Sequence, residues 1–519
     1  MKKSYIVGIE LGSTRIKSVL IDENAAVVAQ GSFEWKSTLC DGLWSYTMDE
    51  LHGGLQASFA ALRQDYTEKT GEELCCVSAI GVSAMMHGYL AFDSEDRLLV
   101  PFRTWQNTNT AAAAKELSAL LDFNMPQRWS VSHYYQAVLD GEPHAKRVAH
   151  LNTLAGYVHY RLTGRRVLGV GDASGMFPIR GGAYDARMLA LVDEKLREKG
   201  IDTPLADLLP EIMVAGQNAG TLTPEGALLL DPTGHLQPGC VLCPPEGDAG
   251  TGMIATCSVA PRTANVSAGT SAFLMAVLEK DLSRPYEEID VVTTPMGAPV
   301  AMIHVNNFTV ELNAWASLFS EVIALGGGSL SGGKLFDALY NAADGGDADC
   351  GGLVGYNFLA GEPIAGVSTG APLVMRAPQG HLTLGNFMRM QLYSAVGSLA
   401  LGMKILEKEQ VALDSICGHG GFFKAGRISQ SVMSAAIGAP VTVMENAGEG
   451  GAWGIALLAL MTAAGETDAT AFLNRVLSGA KRVTVSADDR EKRDFAAFLE
   501  SYRQGLGVER LAAEAVKKA

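Results

Sequence analysis

Glu10 closes a short apolar run, residues 5–9, and leads through Leu11 into Gly12, Ser13 and Thr14. A carboxylate at a strand end, followed by a glycine turn and two hydroxyls, can handle phosphate. Backbone N–H groups and hydroxyls meet the phosphate oxygens while the carboxylate helps to hold Mg²⁺, largely through water. Alone, the same residues also make an ordinary hairpin turn. The second half of the chain repeats the pattern, with Gly269, Thr270 and Ser271 between the strand-like runs 263–266 and 272–278. Two such turns in matching places favour phosphate.

Asp248 lies in the glycine-rich stretch Glu246-Gly247-Asp248-Ala249-Gly250, just ahead of a helix-like run. A carboxylate there is held ionised by the helix N-terminus and can accept a proton from a substrate hydroxyl; an N-cap is the competing role. Met86 and His87 follow the strand-like run 77–82, at the end where α/β proteins usually place ligand groups, although a single histidine is more often structural. Two other patterns carry no chemistry. Gly328 to Lys334 imitates a Walker A loop, but Leu335 stands where Ser or Thr would meet Mg²⁺, so the segment reads as a flexible loop. Cys240 and Cys243 lack a second cysteine or histidine pair at zinc spacing and read as structural thiols.

The elements that position these residues come from patterning. Runs 5–9, 16–21 and 26–33 read as a three-stranded meander, which excludes a βαβ dinucleotide start. Helical periodicity at 48–69 and 110–121 alternates with strands, which predicts mixed α/β layers. Glycine-rich stretches 326–333 and 344–355 read as surface loops. The repeated strand–turn–strand unit predicts two similar domains, 1–256 and 257–519, with a ligand cleft between them.

At 519 residues, 48% hydrophobic and 19% charged, the chain reads as globular with more than one core. Its formal net charge of −15 opposes nucleic acid and anionic membranes, so phosphate must be held by local amides and a metal. The Met1-Lys2-Lys3 start lacks a signal-peptide pattern, no run approaches the ~20 apolar residues of a membrane span, and a cytoplasmic protein with reduced thiols is expected.

Taken in order, these residues resemble the FGGY carbohydrate kinases, whose fold is the two-domain actin-like ATPase (ribonuclease H-like) class. Glu10 to Thr14 is similar to the family's first phosphate motif, Gly269-Thr270-Ser271 to its second, and Gly247-Asp248 to the motif of its catalytic aspartate. Gly420-Gly421 with Lys424, then Gly438 to Val441 and residues 445–454, resemble its adenosine-binding segment. Met86-His87-Gly88, residues 101–105 and Asp172 to Gly175 look most like xylulokinases, where the Met-His pair contacts the sugar. The resemblance implies ATP and Mg²⁺, with Glu10 on the metal side. It also implies a sugar against Met86, His87 and Trp105, with Asp248 as base, and a ketopentose such as xylulose as acceptor. Another ketose or a polyol, or a nucleotide-dependent switch without sugar chemistry, stays open. Family members are often homodimers, and no surface stripe in this sequence singles out an interface. Three positions depart from the family pattern: Glu10 replaces an aspartate and reaches one methylene further, Asn109 stands where Arg is common, and Ala249 follows Asp248 where xylulokinases often place Asn.

Overall fold

A computed structural model of the chain describes residues 4–444 and 450–516. The Met1-Lys2-Lys3 start and residues 445–449 of the adenosine-type segment lie outside the described residues. The chain divides into two compact units. One holds the residues up to Ala260, with 280–300 and Gly450 to Gly479; the other holds Pro261 to Glu279, 301–444 and Ala480 to Val516.

The first unit is built on β1 (Ile6–Leu11), β2 (Arg15–Ile21), β3 (Val27–Glu34), β4 (Ala79–Ala84), β5 (Val241–Leu242) and β6 (Glu246–Gly247). The strand order is β5-β4-β1-β2-β3, with β6 also paired to β4. β1, β2 and β3 form the antiparallel meander, whereas β4 runs parallel to β1. Helix Met48–Thr70 covers one face with Leu51, Leu55, Phe59, Leu62 and Tyr66, all buried at helical spacing. Thr47 caps its start by accepting the N–H of Glu50, and Gly71, at φ 73°, ends it. On the other face lies helix Gly450–Ala463, which is apolar around its whole circumference and buried accordingly. Gly8 and Gly81 are register partners on β1 and β4. A methyl group on either would meet a main-chain carbonyl of this helix, Ala452 at 2.0 Å or Ile455 at 2.6 Å. Glycine is therefore what lets helix and sheet approach.

The second unit repeats the plan with β7 (Thr263–Ala268), β8 (Ala272–Val277), β9 (Pro299–Val305), β10 (Ser415–His419), β11 (Val441–Met444) and β12 (Arg482–Val485), in the order β9-β8-β7-β10-β11-β12. β7 and β8 form a hairpin, and β7 runs parallel to β10, as β1 does to β4.

Two loop expectations need correction. Residues 327–331 are irregular, but Gly333 and Lys334 belong to the helix Gly332–Asp344, preceded by Ser331 at its N-cap. The glycine-rich stretch 344–355 is no surface loop throughout: Leu353–Tyr356 is a strand paired with Leu373–Arg376, and Cys350 and Gly351 are buried. Among the described residues no helix is long and apolar enough to cross a membrane.

Candidate active site

Parallel pairing decides which ends of the strands meet. Leu11 pairs with Ala84, and Ala84 pairs with Gly247, so β1, β4 and β6 finish level at one edge. The turn Gly12 to Thr14, the Met86-His87 pair and Asp248 all leave the sheet there, at the carboxyl ends of parallel strands. Three of the separated sequence candidates thereby become neighbours.

The first turn is held from outside by aromatic donors. Trp35 Nε1 donates to the Gly12 carbonyl at 2.7 Å, the Tyr46 hydroxyl to the Ser13 carbonyl at 2.6 Å, and the Trp35 N–H to the Thr14 carbonyl at 3.2 Å. The Gly12 N–H closes the turn on the Arg15 carbonyl at 3.0 Å, and with all three carbonyls engaged the Ser13 and Thr14 amides are left to meet a ligand, the polarity a phosphate requires. Trp105 reaches the same turn, its Nε1 donating to Ser13 Oγ at 3.3 Å. Asn109 is exposed.

Asp248 opens the helix Asp248–Ala255, but the N-cap position belongs to Gly247 and no side chain caps this helix. The carboxylate turns instead to the sheet edge. Its Oδ1 accepts the N–H of Met86 at 3.1 Å and that of Ala249 at 2.9 Å. Burial pushes its pKa up to about 6, against the lowering effect of these two N–H groups. Glu10 is pushed up to about 7, first by burial and then by the charge of Asp248. The start of helix Gly450–Ala463 faces Glu10, and the Ala452 N–H donates to its Oε2 at 3.2 Å. Among the described residues no three His, Cys, Asp or Glu side chains gather as a metal cluster. Two neighbouring, partly exposed carboxylates, one of which raises the proton affinity of the other, suit a hard divalent cation, one that keeps most of its water and takes its other oxygens from phosphate.

Met86 and His87 are buried. His87 has a left-handed backbone, φ 69°, and its ring stacks on Trp129 with centroids 6.3 Å apart. Its Nδ1 lies 3.3 Å from the Gly175 carbonyl. In the second unit, the Gly269 carbonyl accepts from Thr309 Oγ1 at 2.6 Å and the Thr270 carbonyl from the Phe308 N–H at 3.0 Å. The parallel pairing of β7 with β10 brings Gly420 against this turn. Gly420 has φ 103°, and a Cβ there would lie 2.4 Å from the Ala268 carbonyl oxygen. Gly421 and Lys424 follow in a short 3₁₀ helix, both exposed.

The N-terminal domain model of the FGGY family of carbohydrate kinases matches residues 5–232, and its C-terminal domain model matches residues 264–463. The chain belongs to this family. Among curated relatives, the xylulose kinase of Escherichia coli K12 is 25% identical over 293 residues, 54% of this chain and 55% of that protein. The xylulose kinase of Staphylococcus xylosus is 23% identical over 235 residues, 42% of this chain and 45% of that protein. The chain thus matches about half the length of these relatives. The crystal structure of gluconate kinase from Lactobacillus acidophilus superposes with a TM-score of 0.80 at 17% identity, covering 100% of each chain. That of xylulose kinase from Rhodospirillum rubrum gives 0.78 at 16%, covering 97% of this chain and 98% of the other. At such identities the likeness is one of fold, the mixed α/β, two-domain actin-like ATPase architecture.

Beside Asp248 this FGGY chain carries a buried acid pair, Glu246 and Asp172, whose two members lie in separately recognised segments but whose pairing the sequence does not indicate. Glu246 accepts the N–H groups of Gly171 at 3.3 Å and Asp172 at 2.9 Å. Asp172 accepts the Thr153 hydroxyl at 2.6 Å. Both carboxyls are fully buried. The sequence between them is shaped by the contact, since a Cβ on Gly169 would lie 2.1 Å from Glu246 Oε1 and one on Gly171 would lie 2.5 Å from Oε2. Burial pushes Glu246 up to about 8, and Asp172 adds to the shift; burial likewise pushes Asp172 up to about 7. Unfolded carboxyls titrate near 4, so the folded state holds protons that the unfolded state releases. The sign follows by linkage: this stability is fully present below about pH 4 and is lost as pH rises through 7 to 8. The apparent unfolding midpoint is therefore expected to fall by several degrees between pH 6.5 and 9. In Glu246→Gln, which mimics the neutral acid, that fall should be much shallower. Thermal melts of both proteins across this range check the point, and parallel curves would remove Glu246 as the cause.

Cys240 and Cys243 are both buried. Burial pushes the Cys240 thiol up to about 12 and Cys243 higher still, so both are protonated packing groups at neutral pH.

Proposed function

We propose that this chain transfers the terminal phosphoryl group of ATP to a hydroxyl of a small ketose, most simply a ketopentose such as xylulose. The observation that carries the reading is the meeting of the Gly12 to Thr14 turn, Met86-His87 and Asp248 at one sheet edge, in a member of the FGGY carbohydrate kinase family. Asp248, held by the Met86 N–H, accepts the proton of the attacking hydroxyl. The sugar lies against Met86, His87 and Trp105. In the N-terminal half, 1–256, Gly12 makes the turn and lets phosphate approach, while Ser13 and Thr14 offer amides and hydroxyls to its oxygens. In the C-terminal half, 257–519, Gly269 makes the matching turn and Thr270 and Ser271 offer the amides and hydroxyls, and Gly420, Gly421 and Lys424 receive the adenosine. Glu10 is the protein's own ligand on the metal side, where Mg²⁺ would supply charge neutralisation of the transferring phosphoryl oxygens. Phosphoryl transfer has a loose transition state, so the protein's task is mainly positioning and charge stabilisation.

The acceptor is chosen among relatives with different names. A gluconokinase of Bacillus subtilis is 28% identical over 120 residues, 23% of this chain and 22% of that protein, beside the xylulose kinases. Coupled ADP release with Mg-ATP across xylulose, ribulose, glycerol and gluconate separates them. The expected result is turnover that depends on added ketopentose and exceeds the gluconate and glycerol rates at least tenfold. Turnover with gluconate or glycerol alone would move the acceptor and keep the chemistry. No stimulation by any of the four would favour a nucleotide-dependent switch that phosphorylates no sugar.

A further inference from the structure

A cavity of about 240 Å³ opens in the first unit where the antiparallel strand pair Leu90–Phe92 and His150–Asn152 meets the helix Leu154–Thr163. None of the residues assigned above to sugar, nucleotide or metal lines it. Its volume lies below the ~300–1,000 Å³ usual for drug-sized ligands, so an occupant is a small molecule.

The walls are aromatic. Phe92 and Tyr157 stack with centroids 5.5 Å apart and planes 9° from parallel, and the Tyr160 ring carries the Arg166 guanidinium 4.3 Å above its centroid. The polar groups are mostly donors. Arg161 donates to the Tyr157 hydroxyl at 2.9 Å, which fixes its guanidinium at the rim. Arg166 pairs with Asp96, the single acid of the lining, and Asp96 also accepts the Tyr160 hydroxyl at 2.6 Å. Two guanidiniums against one carboxylate leave the cavity locally positive, in a chain of net charge −15.

Asn152 contributes the most specific feature. It is only 4% exposed, and its side chain is lodged against Gly156, where a Cβ would lie 2.1 Å from its Oδ1. That Oδ1 accepts the Thr153 N–H at 3.0 Å. The carboxamide is thereby oriented, and its Nδ2 donates to no group among the described residues while the residue lines the cavity. Held in this orientation and open to the cavity, the amide is a directed donor available to an acceptor that the protein itself does not supply.

We propose that this cavity is a second small-molecule site, which takes a small anion carrying a phosphate or carboxylate group. The guanidiniums of Arg161 and Arg166 suit either group in forked geometry, the Asn152 amide adds a directed donor, and the aromatic walls take the apolar face of a compact ligand. The site stands whether or not the chain phosphorylates a sugar.

Isothermal titration with inorganic phosphate, a pentose phosphate and citrate tests it and separates the two anion classes. The expected result is binding of at least one of them with a stoichiometry of one, weakened at least tenfold in Asn152→Asp and in Arg166→Gln. Asn152→Asp keeps the acceptor for the Thr153 N–H and replaces only the donor by an anion. Arg161→Gln, at an exposed position, is the control in case either variant shows a lowered unfolding midpoint, and it should weaken binding in the same direction. Equal affinity in wild type and all variants would place the anion elsewhere and overturn the proposal, as would the absence of binding by all three probes.

Discussion

Asp248→Ala is expected to lower ketose-dependent ADP release by about 10³-fold or more, the upper part of the range that a positioned base contributes. The argument rests on what Asp248 does not do. It neither caps its helix nor meets an Arg or Lys in a salt bridge among the described residues; its Oδ1 is occupied by two main-chain N–H groups. A carboxylate raised to about 6 by burial and kept from an ion pair suits proton acceptance near neutral pH. Asp248→Asn is the sharper variant, because its amide oxygen can still accept the Met86 and Ala249 N–H groups and so leaves the loop in place. It should lose activity to a similar extent with an unchanged unfolding midpoint. Since the base must be ionised, wild-type kcat/KM should fall about tenfold per pH unit below about 6, well above the ordinary aspartate value near 4. Initial rates of the three proteins from pH 5 to 8 decide the matter, and an Asn variant that turns over at the wild-type rate would end the assignment of Asp248 as base.

Gly8→Ala should destabilise the protein by about 3 kcal/mol, at the upper end of what overpacking usually costs. The added methyl would lie 2.0 Å from the Ala452 carbonyl oxygen and 2.8 Å from the Ala456 nitrogen. These are main-chain atoms of the first two turns of a packed helix, so no side chain can swing away. Helix Gly450–Ala463 would have to lift off the sheet, and its first turn carries the Ala452 N–H that holds Glu10. The variant should therefore also require more Mg²⁺ for half-maximal rate, linking a packing defect to the metal side of the site. Gly53→Ala is the counterpart. Gly53 lies in helix Met48–Thr70 with nothing within 4 Å of an added Cβ, and replacement there should stabilise by about 0.5–1 kcal/mol. Denaturant unfolding of both variants checks the pair; equal stability of Gly8→Ala and wild type would mean that helix and sheet are not in this contact.

Much of the local architecture was legible in residue order. The meander of β1 to β3, the helix capped by Thr47 and Gly71, and the two glycine–hydroxyl turns follow from periodicity and turn chemistry, which act over a few residues. Glycine-rich composition misled at 344–355. The strand Leu353–Tyr356 draws its hydrogen bonds from Leu373–Arg376, some twenty residues away, and composition carries no record of a distant partner.

The candidate site shows the same division. Glu10, the Gly12 to Thr14 turn, Met86-His87 and Asp248 could each be proposed from residue type and spacing. Whether Asp248 capped a helix or faced a ligand could not be decided that way, because the answer depends on Met86, 162 positions earlier in the chain. The pairing of Asp172 with Glu246 and the unused amide of Asn152 were likewise invisible. Asp172 and Glu246 each fall in a segment that residue order marks, but nothing local pairs them, and their chemistry comes from burial and from partners that tertiary packing selects. What the sequence by itself determined is the set of chemically able residues and the short elements that carry them. The tertiary structure decided which of those residues meet and which carboxyls lose water, since strand register and helix packing are long-range choices.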